Sequence, residues 1–124
     1  MHAPFGHRRW AIADGYIPGQ GLDRGPALIS HEALCFLNTG EVAAEVVLTV
    51  YFKDREPAGP YRVRVEPRRT LHLRMNDLSE PEPIPRDTDY ACLVEASEPI
   101  VVQHTRLDSR APEVALLSTM AYHP

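Results

Sequence analysis

Polar side chains that close an apolar strand carry the strongest chemical signal in this chain. The run Pro99-Ile-Val-Val-Gln-His-Thr-Arg-Leu-Asp-Ser109 starts as core and ends with His104, Arg106 and Asp108. Side chains alternate across a strand, so Ile100, Val102, His104 and Arg106 share one face. A core face turns polar only where the polar groups are paired or reach a ligand. Arg106 suits a carboxylate, phosphate or hydroxyl pair because its guanidinium donates as a planar fork. Glu32 or His31 could reach it from a neighbouring strand, and Trp10 and Tyr16 flank a glycine-rich loop with aromatic faces that stack on sugar rings and planar ligands. The candidate ligand-binding set is therefore Trp10, Tyr16, His31, Glu32, His104, Arg106 and Asp108. A structural network, with Arg106 paired to Asp108, Glu32 or Asp89, is the alternative use of the same residues.

Two other chemistries can be weighed from residue types. His31, His72 and His104 with Glu32 are ligand types for zinc or iron. Adjacent residues on a strand face opposite ways, however, so His31 and Glu32 diverge, and no His-x-His pair places two imidazoles on one side. A serine hydrolase would need Ser30 or Ser118 with a histidine and Asp108, yet neither serine sits in a nucleophile elbow. No glycine motif precedes a helix in the manner of a phosphate-binding loop. The expectation is a protein without catalytic residues, metal or cofactor.

Those side chains need a sheet to hold them. Apolar alternation bounded by Gly, Pro, Asn and Asp recurs along the chain, which is the pattern of an all-β domain. Candidate strands cover 9–13, 30–38, 45–52, 61–66, 70–75, 90–96, 100–107 and 114–122. Val46, Leu48, Val50 and Phe52 face inward in one; Tyr61, Val63 and Val65, then Leu71, Leu73 and Met75, repeat the pattern. Residues 112–122 could also form a helix capped by Asp108 or Ser109 with Pro112 in its first turn, but Ser118, Thr119 and Tyr122 favour a strand. Glu56-Pro-Ala-Gly-Pro60 reads as a turn, Glu80-Pro-Glu-Pro-Ile-Pro85 as a stiff extended loop, and residues 15–25 as a surface connection. About eight short strands at this spacing read as a single-domain β-sandwich or jelly-roll-like barrel over residues 1–124.

Composition sets the outer bounds. The 124 residues, 44% hydrophobic and 24% charged, are enough for one globular core. No apolar run approaches the ~20 residues of a membrane-spanning helix. The first ten residues lack the apolar core of a signal peptide, so the cytoplasm is the expected location. Cys35 and Cys92 lie in apolar strand patterns and are expected as reduced thiols. A net charge of −4 argues against general nucleic-acid binding. Lys53 is the only lysine, the other basic residues being arginine, a bias that coding composition or function would equally produce. Arg62, Arg64, Arg68, Arg69 and Arg74 face Glu66 alone between residues 61 and 75. A hairpin there would present a basic stripe to an acidic protein partner, to DNA phosphates or to a sister subunit.

The chain also resembles the Anabaena sensory rhodopsin transducer family. The likeness rests on Trp10-Ala-Ile-Ala-Asp-Gly-Tyr-Ile-Pro18, Ile29-Ser-His-Glu32, Glu56-Pro-Ala-Gly-Pro-Tyr-Arg62, Asn76-Asp-Leu78, Pro83-Ile-Pro85, Asp87-Thr-Asp89, the signature run from Pro99 to Arg110, and Ala115-Leu-Leu-Ser-Thr119. The resemblance implies a small soluble β-sandwich that forms a homotetramer. It also implies signalling beside a membrane photoreceptor of the rhodopsin type, or binding of a small, sugar-like molecule. Asp14 stands where the family pattern leads one to expect glutamate, and the 19–25 loop is particular to this chain.

Overall fold

Two of the expected strands are one. The apolar runs 90–96 and 100–107 join across Pro99 into a single 20-residue strand, giving seven strands among the described residues where about eight were expected. Inward parity is kept through the junction: Tyr90, Cys92, Val94, Ile100, Val102 and His104 are all buried. In this computed structural model residues 3–124 are described; Met1 and His2, the start of the expected domain, lie outside the described residues.

In chain order the strands are β1 (His7–Tyr16), β2 (His31–Asn38), β3 (Ala44–Tyr51), β4 (Ala58–Val65), β5 (Arg69–Arg74), β6 (Asp89–Asp108) and β7 (Ala115–Met120). All pairings are antiparallel, and β6 organises them. Its first half lies between β1 and β3, its second half between β2 and β7; β4 extends the sheet beyond β3, and β5 extends it beyond β2. A strand this long that changes partners midway lets one sheet curl over itself, and the result is the expected sandwich-like, almost wholly β fold. Leu34, Phe36, Leu48, Tyr61, Val94 and Ile100 lie at its centre. Residues 115–120 form a strand, as Ser118 and Thr119 favoured over the helix alternative.

Three expectations need correction. The 61–75 segment is not a hairpin: β4 pairs only with β3 and β5 only with β2, so the chain crosses from one sheet edge to another at Glu66–Arg68, with Arg68 at φ 57°. Alternation fixed which side chains face inward, but pairing was decided by the partners β2 and β3. The 56–60 turn is shorter than expected, because β4 begins at Ala58; Gly59 and Pro60 fall in a bulge between the Leu48–Tyr61 and Val50–Ala58 pairs, where proline's missing N–H costs no ladder bond. The 15–25 connection is only partly a surface loop, since Ile17 and Pro18 are buried while residues 20–24 are exposed. Both cysteines are free; Cys92 is buried, and burial pushes its thiol up to about 12.

Candidate functional site

Glu32 is the centre of the polar end of the sheet. It sits on β2 opposite Arg106 of β6 in the strand register and is fully buried. A buried carboxylate needs its lone pairs filled. The Oε1 atom accepts the Tyr16 backbone N–H at 2.9 Å and the Tyr90 hydroxyl at 2.6 Å. The Oε2 atom accepts the His104 Nε2–H at 2.8 Å and the Arg106 Nε–H at 2.9 Å. One carboxylate thus ties together β1, β2 and both halves of β6. Among the described residues no buried side-chain nitrogen or oxygen lacks a partner.

The electrostatics follow from that packing. Burial works against the Arg106 charge, but its hydrogen bond and ion pair with Glu32 outweigh burial and push its pKa upward. Arg106 also donates through Nη2 to the Asp14 backbone oxygen at 2.8 Å and approaches the Asp14 carboxylate at 3.4 Å. The guanidinium lies 5.9 Å from the Tyr16 ring centroid. Burial, then the Glu32 charge, push the Tyr90 phenol well above the ordinary tyrosine range.

A second set of bonds pins the loop that follows β1. Arg86 Nη1 donates to the backbone oxygens of Pro18 at 2.6 Å and Ser30 at 2.9 Å. Asp87 Oδ1 accepts the Gly19 N–H at 2.8 Å and the Tyr16 hydroxyl at 3.2 Å. Asn76 Oδ1 accepts the Glu32 backbone N–H, and its Nδ2 donates to Ser30. Ser30 and Ser109 are buried together, their hydroxyls 3.2 Å apart. A recess of about 260 Å³ opens beside this loop, lined by Tyr16, Lys53, Asp54, Asp87, Thr88 and Asp89.

Of the residues named from sequence, Glu32, His104 and Arg106 come together directly, with Tyr16 joining through its backbone and ring. Asp108 does not join them: it bonds Arg110 at 2.7 Å, which holds its carboxyl below the usual range. Trp10 does not flank the loop; it is buried on β1 and its indole N–H donates to the backbone oxygens of His7 and Ile100. His31 turns to the other face of β2, as alternation requires, and its Nδ1 bonds the Ile29 oxygen at 2.7 Å. His31, His72 and His104 do not converge, and no cluster of three metal-ligating side chains exists among the described residues. The arginines do not form one stripe either. Arg64 is held by Glu66 and Glu45, Arg74 donates to the Pro26 oxygen, and Arg62, Arg68 and Arg69 are exposed on or between separate sheet edges.

Tyr90, Asp14, Arg86 and Asn76 were missed as members of the site. Tyr90 had a readable signal: it shares the inward parity of Cys92 and Val94, and a buried phenol needs an acceptor. Arg86 and Asn76 lie in loops, where no periodicity reports direction.

The family model of the Anabaena sensory rhodopsin transducer matches residues 5–123. The chain belongs to this family. Among solved structures it is similar to the Anabaena sensory rhodopsin transducer itself, with 56% identity, a TM-score of 0.76 and coverage of 86% of this chain and 92% of that one. It is also similar to the crystal structure of Thermotoga maritima 1070, with 36% identity, a TM-score of 0.84 and coverage of 94% of both chains. No curated protein matches it significantly. Among the described residues no helix is long and apolar enough to cross a membrane.

Proposed function

We propose that this chain is a non-enzymatic binding and signalling module, a cytoplasmic homotetramer that receives its input from a membrane photoreceptor of the rhodopsin type or from a small, sugar-like molecule. The observation that carries the reading is the Glu32 node. One buried carboxylate joins strands that reach three parts of the surface, so a displacement of any of them is felt by the rest. Its oxygens are already occupied by donors from the fold, and Asp108 is taken by Arg110, an arrangement suited to holding shape rather than to breaking bonds. Tyr16, His104 and Arg106 stand nearest the surface recesses and are the contacts expected for a small ligand.

Support for assembly comes from β7. All six of its residues are exposed, and Leu116, Leu117 and Met120 with nearby Tyr122 make an apolar surface on a strand at the sheet margin. Such a surface on a small soluble domain marks a contact site. Analytical ultracentrifugation of the full chain should give four copies of the 13.9 kDa protomer. The double variant Leu116→Asp/Met120→Asp should sediment as a smaller species with its β-sheet circular dichroism intact. A wild-type monomer would overturn the assembly. For the input, the protein should be retained by nanodiscs carrying a retinal photoreceptor and not by empty ones, or be raised in Tm by sugars in a thermal-shift screen. Failure of both would overturn the signalling reading.

A further inference from the structure

A cleft opens where β1 and β7 part. β1 meets the segment just after β7 through one bridge, with Ala11 and Tyr122 exchanging N–H···O bonds of 2.8 and 2.9 Å. β1 and β7 themselves stay apart, because β1 follows the first half of β6 and β7 follows the second. The gap is a cavity of about 220 Å³, walled by residues 11–14 on one side and 119–122 on the other, with His104 between them. His104 lies directly opposite Thr119 in the β6–β7 register and is only 3% exposed.

The imidazole is bonded on one side only. Its Nε2 is held by Glu32 at 2.8 Å, whereas its Nδ1 has no hydrogen-bond partner among the described residues. His104 itself lines the cavity, beside Thr119 and Ile12. We infer that the cleft between β1 and β7 binds a small molecule that donates a hydrogen bond, from a hydroxyl or an ammonium group, to His104 Nδ1. The inference rests on the reading of the chain as a binding module and adds the chemistry of its ligand.

The direction of the bond follows from the Glu32 contact. Nε2 donates its hydrogen to the Glu32 carboxylate, and in that neutral tautomer the other nitrogen is a lone pair that accepts. A carboxylate behind an imidazole also makes that lone pair a stronger acceptor. The second polar group on the wall, the Asp14 carboxylate, accepts as well, and its side chain is 91% exposed. The Thr119 hydroxyl can supply one donor or acceptor. Tyr122 adds a phenol, and Ile12, Ala13, Met120 and Ala121 make most of the remaining lining apolar. Alcohols and amines with a short carbon frame fit that pattern; carboxylates and phosphates meet a lone pair and a like charge. A transition metal is the competing occupant of the nitrogen, but His104 and Asp14 supply two ligands where three or four are usual. An occupant touches both β1 and β7, so its binding reaches the strand that carries the exposed apolar surface.

The test uses the full chain labelled with ¹⁵N-histidine, with the His104 Nδ1 resonance as the readout. Ethanolamine and ethylene glycol are the donor probes, and 1,2-dimethoxyethane is an acceptor-only control of similar frame. Both donors should move the resonance saturably, and the control should not. Thr119→Leu covers the nitrogen from the facing strand without touching Glu32, and should weaken the response by at least about tenfold. The inference is overturned by no shift with either donor up to about 100 mM, well beyond a millimolar dissociation constant. It is equally overturned by a matching shift with the control, by a response that survives Thr119→Leu, or by saturation with one equivalent of zinc chloride. A monomer that still shows the donor-selective shift would overturn the assembly reading alone; a tetramer without it would overturn the ligand chemistry alone.

Discussion

The two halves of β6 share one strand and one inward parity, yet they hold the fold by different forces. Before Pro99, Cys92 and Val94 are apolar and buried against β1 and β3. Beyond Val102 the same face carries His104 and Arg106, which converge on Glu32 of β2. Stabilisation in the first half is spread over many small contacts and scales with the area removed from water. In the second half it is concentrated in one carboxylate, whose loss leaves the His104 imidazole without its partner and the Arg106 guanidinium with Asp14 alone. Tyr90 belongs to both, with its ring among the apolar residues and its hydroxyl on Glu32.

The sharpest way to break this contrast is Glu32→Ala. It should cost about 3–5 kcal/mol in urea denaturation, because it strands the buried donors His104 and Tyr90 and leaves the Arg106 charge with Asp14 alone. A cost no greater than that of a core truncation would erase the distinction between the halves. Tyr90→Phe comes next, with about 1.5–3 kcal/mol expected for a hydrogen bond to a charged acceptor. It also carries a pH signature. The folded Tyr90 pKa lies above its unfolded value, so its contribution is complete below the unfolded tyrosine range, about 10, and is lost as pH rises toward the folded value. Tyr90→Phe should therefore flatten the alkaline fall in Tm, and an unchanged slope would remove Tyr90 from the network.

Val94→Ala, in the apolar half, removes two methyl groups from a fully buried site and should cost about 2 kcal/mol. No change in pH dependence should accompany it; one that did would mean the halves are electrostatically coupled. The smallest effect is expected at Asp108→Asn, at the exposed end of the strand. The hydrogen bond from Arg110 depresses the Asp108 pKa, so its contribution is present above the ordinary aspartate range and is lost as pH falls through the folded value. Solvent and salt screen that pair, and the change in Tm should vanish in high salt. A large, salt-insensitive loss would place Asp108 with the buried node after all.

Much of this site was legible because strands have a period of two. Alternation put His104 and Arg106 on the face of Ile100 and Val102, and it separated Glu32 from His31. It could not tell that Arg106 would choose Glu32 and Asp14 while Asp108 turned to Arg110, because which carboxylate is near is a matter of strand neighbours. Trp10 illustrates the same limit: an indole beside a glycine-rich segment looks available until β1 is placed against β6, where its N–H is needed by buried carbonyls. The supposed hairpin of arginines failed for this reason too, since two adjacent alternating segments need not pair with each other.

By itself the sequence determined the strand-forming segments, the side chains each turns inward, and the polar ending of the 99–109 run, because these depend on local backbone geometry and on the separation of apolar groups from water. Tertiary structure alone decided that β6 would serve two sets of partners, that one buried carboxylate would join three strands, and that His104 would line a cleft. Those features depend on contacts between residues up to 92 positions apart, as from Arg106 to Asp14. Only closure of the chain into its sheet brings such residues within bonding distance.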